Sequence, residues 1–389
     1  MRRSRAFTVL LSTLVVALLV PTGVLFAEAW RAAGERARAT ALETDGVAYL
    51  RSLQGVAFAV ADAQSAAVSG KPAPRDAITA AVRETDATDE RLGATLRTTE
   101  RWTGVRERLE ALRDNPPADP SQALTAFREV GDLVLALYAK VRDRSGLVHD
   151  PDADAFHLQS GAAGDLPVAV ISAGRLSDIV VLAAGARAAT PGTTPPAADP
   201  ERQLDLVARL AAERVTMVDA ATRLVDNLRS AVDNTQSRTL GGNLLSRLDR
   251  FQRAADIVAA IAGQIDGSAG GDPSRVVLAR AELQAAAGEL SSAILTEVEG
   301  LLDTRAGGID RTRLFTGGAA AAAVLLVAGF LAALFLSGRP RQDAEAPATP
   351  APPPAPGDAG LPRRTPVALR AGPDPIDQIA QWERSGAPR

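Results

Sequence analysis

Residues 314–336 read LFTGGAAAAAVLLVAGFLAALFL, a stretch without a single charged side chain. At ~1.5 Å rise per residue, a helix of this length crosses the ~30 Å hydrocarbon core of a bilayer. A second uncharged run, residues 7–27, reads FTVLLSTLVVALLVPTGVLFA. Arg2, Arg3 and Arg5 precede the first run, and Arg339 and Arg341 follow the last. Arginine at the outer edges of both runs predicts both termini in the cytoplasm and residues 28–313 outside it. The stretch 1–29 also reads as a cleaved signal peptide, with Pro21 and an A-x-A match at Ala27-Glu28-Ala29. The length of the run and a helical pattern continuing through Trp30 favour a retained anchor. Either outcome leaves the large segment outside.

Composition narrows the fold of that segment. The chain has no cysteine, which excludes disulfides, thiolate metal sites and cysteine catalysis. Its net charge is −3, so no global field favours nucleic acid. Aromatics make up 4% of residues, while alanine, leucine, arginine and glutamate abound. Helix formers therefore dominate and strand formers are sparse.

Turn-forming clusters divide the outer segment at 70–74, 115–117, 145–146, 190–200 and 267–273. Between them apolar residues recur at helical spacing: Leu124, Phe127, Val130, Leu133, Leu135 and Tyr138, then Leu204, Val207, Leu210, Val215, Val218, Leu224 and Leu228. Asp199-Pro200 and Asp272-Pro273 each set a capping aspartate before a first-turn proline. The first outer helix, about 28–69, would span ~60 Å, too long for one compact four-helix bundle. The expected architecture is all-α: an elongated antiparallel helical bundle, as two stacked four-helix bundles, flanked by two transmembrane helices. The last outer helix runs from 273 into the second span, loosened at Gly307-Gly308.

Two segments carry a resemblance. One is Glu43-Thr44-Asp45-Gly46-Val47-Ala48-Tyr49-Leu50-Arg51-Ser52-Leu53. The other runs from Ser145-Gly146 through His149-Asp150-Pro151-Asp152-Ala153-Asp154-Ala155-Phe156-His157-Leu158, with Leu166-Pro167 downstream. Together they resemble the helical extracytoplasmic sensor domain of bacterial methyl-accepting chemotaxis proteins and sensor histidine kinases. The resemblance covers residues 7–336 and implies ligand sensing between helices, with Tyr49, Asp150, Asp152, Asp154 and Phe156 on its motifs. It departs from that family in the Phe156-His157 pair and in the 53 residues after Leu336, too few for a methyl-accepting hairpin or kinase core.

The same residues have plainer readings. Asp150 before Pro151 reads as a helix N-cap, with Asp152 and Asp154 complementing the helix dipole. His149 and His157, the two histidines of the chain, flank them and suit either a proton sensor or a mixed His/Asp cation site. Arg51 lies among buried-looking Val47, Leu50 and Leu53, and Arg175 stands in apolar surroundings. Each either binds a small anion, such as a carboxylate or nitrate-like ligand, or reaches solvent past the stripe or pairs with an aspartate.

No P-loop, G-x-G-x-x-G, H-E-x-x-H or G-x-S-x-G pattern occurs, and the expectation is a non-enzyme without cofactor or metal. Residues 339–372 have a disordered, polyproline-rich composition, and 375–384 read as a short helix around Trp382, a docking peptide or a remnant. The expected function is a receptor-like sensor at the cell membrane that binds a small, anionic ligand. Chemoreceptor analogy makes it a homodimer that signals through a separate cytoplasmic protein. A structural scaffold of the cell envelope is the alternative. A reporter fused after Leu147 should be active outside the cytoplasm, and one fused after Arg341 inside; a cytosolic Leu147 fusion would overturn the topology.

Overall fold

The computed structural model describes residues 2–148, 150, 152–188, 200–235, 237–264 and 272–337. The chain divides into two compact units, 1–328 and 329–389. Everything below concerns the first, apart from the last turns of α9.

The described residues form helices and no strand: α1 (Arg2–Val68), α2 (Arg75–Leu96), α3 (Thr99–Asp114), α4 (Pro120–Ser145), α5 (Ala153–Ser160), a π-helical turn at Gly161–Asp165, α6 (Leu166–Ala188), α7 (Pro200–Asn234), α8 (Leu240–Gln264) and α9 (Pro273–Ser337). Local chemistry explains most of the boundaries. Asp119 caps α4, its side chain accepting from Gln122 N at 2.9 Å with Pro120 in the first turn. Asp272 accepts from Ser274 N at 2.9 Å ahead of Pro273. Gly146, at φ 84°, ends α4 in the left-handed conformation that glycine adopts without a Cβ clash. Two breaks carry no glycine or proline. Arg97 closes α2 at φ 53°, and between α7 and α8 the Thr235 and Ser237 hydroxyls accept from the backbone N–H groups of Ser237 and Thr239.

Helices α1 to α4 run up and down in turn. Tyr49 and Ser52 of α1 meet Asp89 and Thr85 of α2, Asp86 of α2 meets Trp102 of α3, and Arg101 of α3 meets the Ala136 carbonyl of α4. A second alternating set follows. The α5–α6 run pairs with α7 through Asp165–Arg223 and Asp154–Thr235, and α8 pairs with α9 through Asn243–Glu297 and Arg250–Glu282. Gln64 of α1 contacts Asp178 of α6, and Asp62 of α1 contacts Arg280 of α9. The two sets therefore lie side by side along α1, where helix length had suggested an end-to-end stack. The length of α1 before Glu43 is taken up by pairing with α9: Gly34 lies against Arg313, and Trp30 against Gly317. Helix α9 continues unbroken through Gly307-Gly308.

Among the described residues, two helical stretches are long and apolar enough to cross a membrane. Residues 153–184 are mostly buried, as a core helix would be. Residues 273–333 include the expected second span, and their most apolar window is wholly unburied. The expected first span lies within α1; nine of its 21 side chains, all in its first dozen positions, fall outside the described residues, and Val20, Val24 and Leu25 are exposed.

The core is built from alanine, valine and leucine, with Trp102, Tyr49, Phe127 and Phe251 its largest fully buried side chains. The stripe read on α4 holds at Leu124, Phe127, Val130 and Tyr138. On α7 the expected stripe splits: Leu210, Leu224 and Leu228 are buried, whereas Leu204, Val207, Val215 and Val218 face outward. Phe127→Ala should cost about 3–5 kcal/mol in chemical denaturation of the detergent-solubilised protein. Leu278→Ala, at an exposed site, should stay within about 0.5 kcal/mol.

Candidate functional site

Arg305 of α9 joins three carboxylates from two other parts of the chain. Its Nη1 donates to Glu43 Oε2 of α1 at 2.9 Å. Its Nη2 donates to Asp150 Oδ1 and Asp152 Oδ2, both at 2.6 Å, in the link between α4 and α5. The Asp150 side chain is wholly buried, whereas that of Asp152 is 62% exposed. Asp150 also accepts from Gln159 Nε2 at 2.8 Å and from Asp152 N at 2.9 Å. The cluster sits where α1 and α9 leave the helical core toward their apolar runs.

This placement revises the N-cap reading of Asp150. The carboxylate is drawn to the guanidinium, and Asp152 takes the cap position of α5, its carbonyl accepting from Phe156 N at 2.9 Å. Pro151 and His149 lie outside the described residues. Among those described, no group of three or more His, Asp or Glu side chains could hold a metal ion. In the aspartate cluster, the Arg305 guanidinium already occupies the position a cation would take.

Electrostatics at the cluster are unbalanced. Glu43 is pushed up to about 7, first by burial and then by the charge of Asp150, against the opposing pull of Arg305. Burial works against the charge of Arg305, but its bonds to Asp150 and Asp152 more than offset this and raise its pKa.

The other expected site residues are spread over separate contacts. Tyr49 is buried and donates to Asp89 Oδ1 at 2.7 Å, and Thr98 donates to the same oxygen at 2.8 Å. Arg51 is not in the interior: its side chain is 38% exposed and pairs with Glu299 of α9 at 2.9 Å. Arg175 is buried, as its apolar neighbours implied. It donates to Asp132 Oδ1 at 2.6 Å and to the Arg128 carbonyl at 2.9 Å, while Glu213 lies 4.0 Å away. Asp154 accepts from Thr235 Oγ1 at 2.9 Å. Phe156 meets His157 edge to face at 5.4 Å, and His157 Nδ1 lies 3.0 Å from Asn227 Oδ1. Of the seven, only Asp150 and Asp152 converge on one partner, and both arginines have found internal acids.

Two groups at the centre of the network, Arg305 and Glu43, escaped the sequence reading, although a signal was present. Arg305 continues the buried series Ile294, Val298 and Leu302 at helical spacing, and Glu43 continues Thr40, Val47 and Leu50. A charge on an apolar stripe calls for an opposite charge on the helix facing it. A second buried polar group was also missed. Asp178 accepts from Gln64 and Ser65, each at 2.7 Å, and is pushed up to about 6 by burial, which those two bonds oppose. A groove of about 640 Å³ between α8 and α9, lined by Asn243, Arg247, Glu289, Ser292, Thr296 and Glu297, contains none of the expected residues. No protein-family model, no curated protein and no solved structure matches the chain.

Because Glu43 binds its proton more tightly in the fold than at its ordinary 4.5, its contribution favours folding at low pH. That contribution falls away as pH rises from about 4.5 to about 7, by up to about 3 kcal/mol. Melting of the full chain followed between pH 5 and 8 should lose part of this slope in Glu43→Gln. An unchanged slope would place Glu43 in water.

Proposed function

We propose that the chain is a membrane-anchored, receptor-like sensory protein whose outer helical domain relays a change of state to α1 and α9. One observation carries this reading: a single arginine ties the α4–α5 link to the two helices that run on into the apolar segments. A ligand that repositions α5 or its link changes how well Arg305 can serve Glu43 and Asp150 together. Two packings of similar energy then exchange population, and α1 moves along α9. The resemblance to chemoreceptor and histidine-kinase sensor domains points the same way, toward a small anion as ligand, a homodimer, and a separate cytoplasmic partner as recipient.

A scaffold role in the cell envelope is the second reading. It is favoured by the internal pairing of Arg51 with Glu299 and of Arg175 with Asp132, which gives each guanidinium a carboxylate partner within the chain.

A cysteine-free chain makes the choice testable. Gly34→Cys combined with Arg313→Cys should be joined within one chain by a short bifunctional maleimide, since the contact runs through the long Arg313 side chain. A sensor's ligand, sought among organic acids, amino acids, nitrate and divalent ions, should raise the melting temperature of the full protein in nanodiscs and alter that crosslinking rate. A scaffold would show neither response across the screen.

A further inference from the structure

Helix α7 is apolar on two faces. One face buries Leu210, Met217, Leu224 and Leu228 in the core. The other carries Leu204, Ala208, Ala211, Val215, Val218 and Thr222, all exposed, with Leu204 at 70% and Val215 at 60%. Their spacing alternates four and three residues, the heptad repeat of a coiled-coil seam, over ~28 Å. An exposed run of this kind marks an interface, since each valine or leucine left in water forgoes ~1.5–3 kcal/mol of burial.

We propose that this face pairs with α7 of a second copy of the chain, as a short parallel coiled coil. In the heptad, Leu204, Ala211 and Val218 take the d positions, and Ala208, Val215 and Thr222 the a positions. β-Branched residues at a favour two strands. The flanking charges select both the occupant and the direction. Arg214 falls at g and Asp219 at e, both exposed and neither in an ion pair among the described residues. In a parallel pair, g faces e of the other strand five positions on, so Arg214 meets Asp219 of the partner subunit, twice by symmetry. An antiparallel pair would instead bring e against e, setting Asp219 beside Asp205 of the partner subunit. Two copies anchored in one bilayer also present α7 in the same direction, and confinement there raises their effective concentration. That last support rests on the membrane reading above; the stripe and its charges do not.

Single cysteines placed in turn from 204 to 222 of the full chain, oxidised in native membranes and again in detergent, read the face directly. Disulfide-linked dimers should peak at 204, 208, 211, 215, 218 and 222. They should be several-fold weaker at Arg209→Cys and Thr216→Cys, which are exposed but off the stripe. Arg214→Asp and Asp219→Arg should each reduce the yield at position 215, and the double exchange should restore it. Equal yields on and off the stripe, no dimer at 215 and 218, or adducts of another mass would overturn the proposal. The readout needs no ligand, so failure of the sensory reading would leave it unchanged.

Discussion

A carboxylate without solvent must have a cation or a proton, and Asp150 has its cation in Arg305. That requirement holds the lower end of the helical core together. The guanidinium is shared among α9, α1 and the α4–α5 link, so no one of these can move without leaving a buried charge unserved. Glu43 feels the strain of the arrangement, because it shares its cation with two aspartates and sits largely out of water. The junction is thus strong against separation yet sensitive to protonation and to displacement of the link.

Further along α1 the same logic recurs in milder form. Tyr49 and Thr98 satisfy Asp89 between α1 and α2, and Gln64 and Ser65 satisfy Asp178 between α1 and α6. Arg280 reaches Asp62 from α9. A core of alanine, valine and leucine packs well in many registers, because its side chains are small and similar. Buried polar pairs remove that freedom, since sliding a helix by one turn would strand a donor or an acceptor. They hold the domain to one packing.

The candidate site was partly legible before the fold was known. The aspartate element stood out, and its first two members, Asp150 and Asp152, do act together. Arg175 was correctly placed in an apolar environment, and its partners Asp132 and Glu213 lie too far along the chain for local spacing to name them. Arg51 could not be decided from its neighbours: Leu50 and Leu53 are buried, while its own position turns to the edge of the helix facing Glu299. Arg305 and Glu43 were overlooked because each looks ordinary alone. Only when α1 and α9 are laid antiparallel do their two misplaced charges meet.

Helix content, the uncharged stretches and most turn positions were determined by the sequence by itself, because proline, glycine, capping aspartates and hydrophobic period act over a few residues. The break at Arg97 and the one after Asn234 were not, since neither has a residue whose own backbone preference demands a turn. Tertiary structure decided that the two helical sets lie side by side on α1, that half of the α7 stripe faces outward, and which acid serves which arginine. Those outcomes depend on contacts between residues on different helices, 43 positions apart for Arg175 and Asp132 and 262 for Arg305 and Glu43, and no local pattern encodes the register in which distant helices meet.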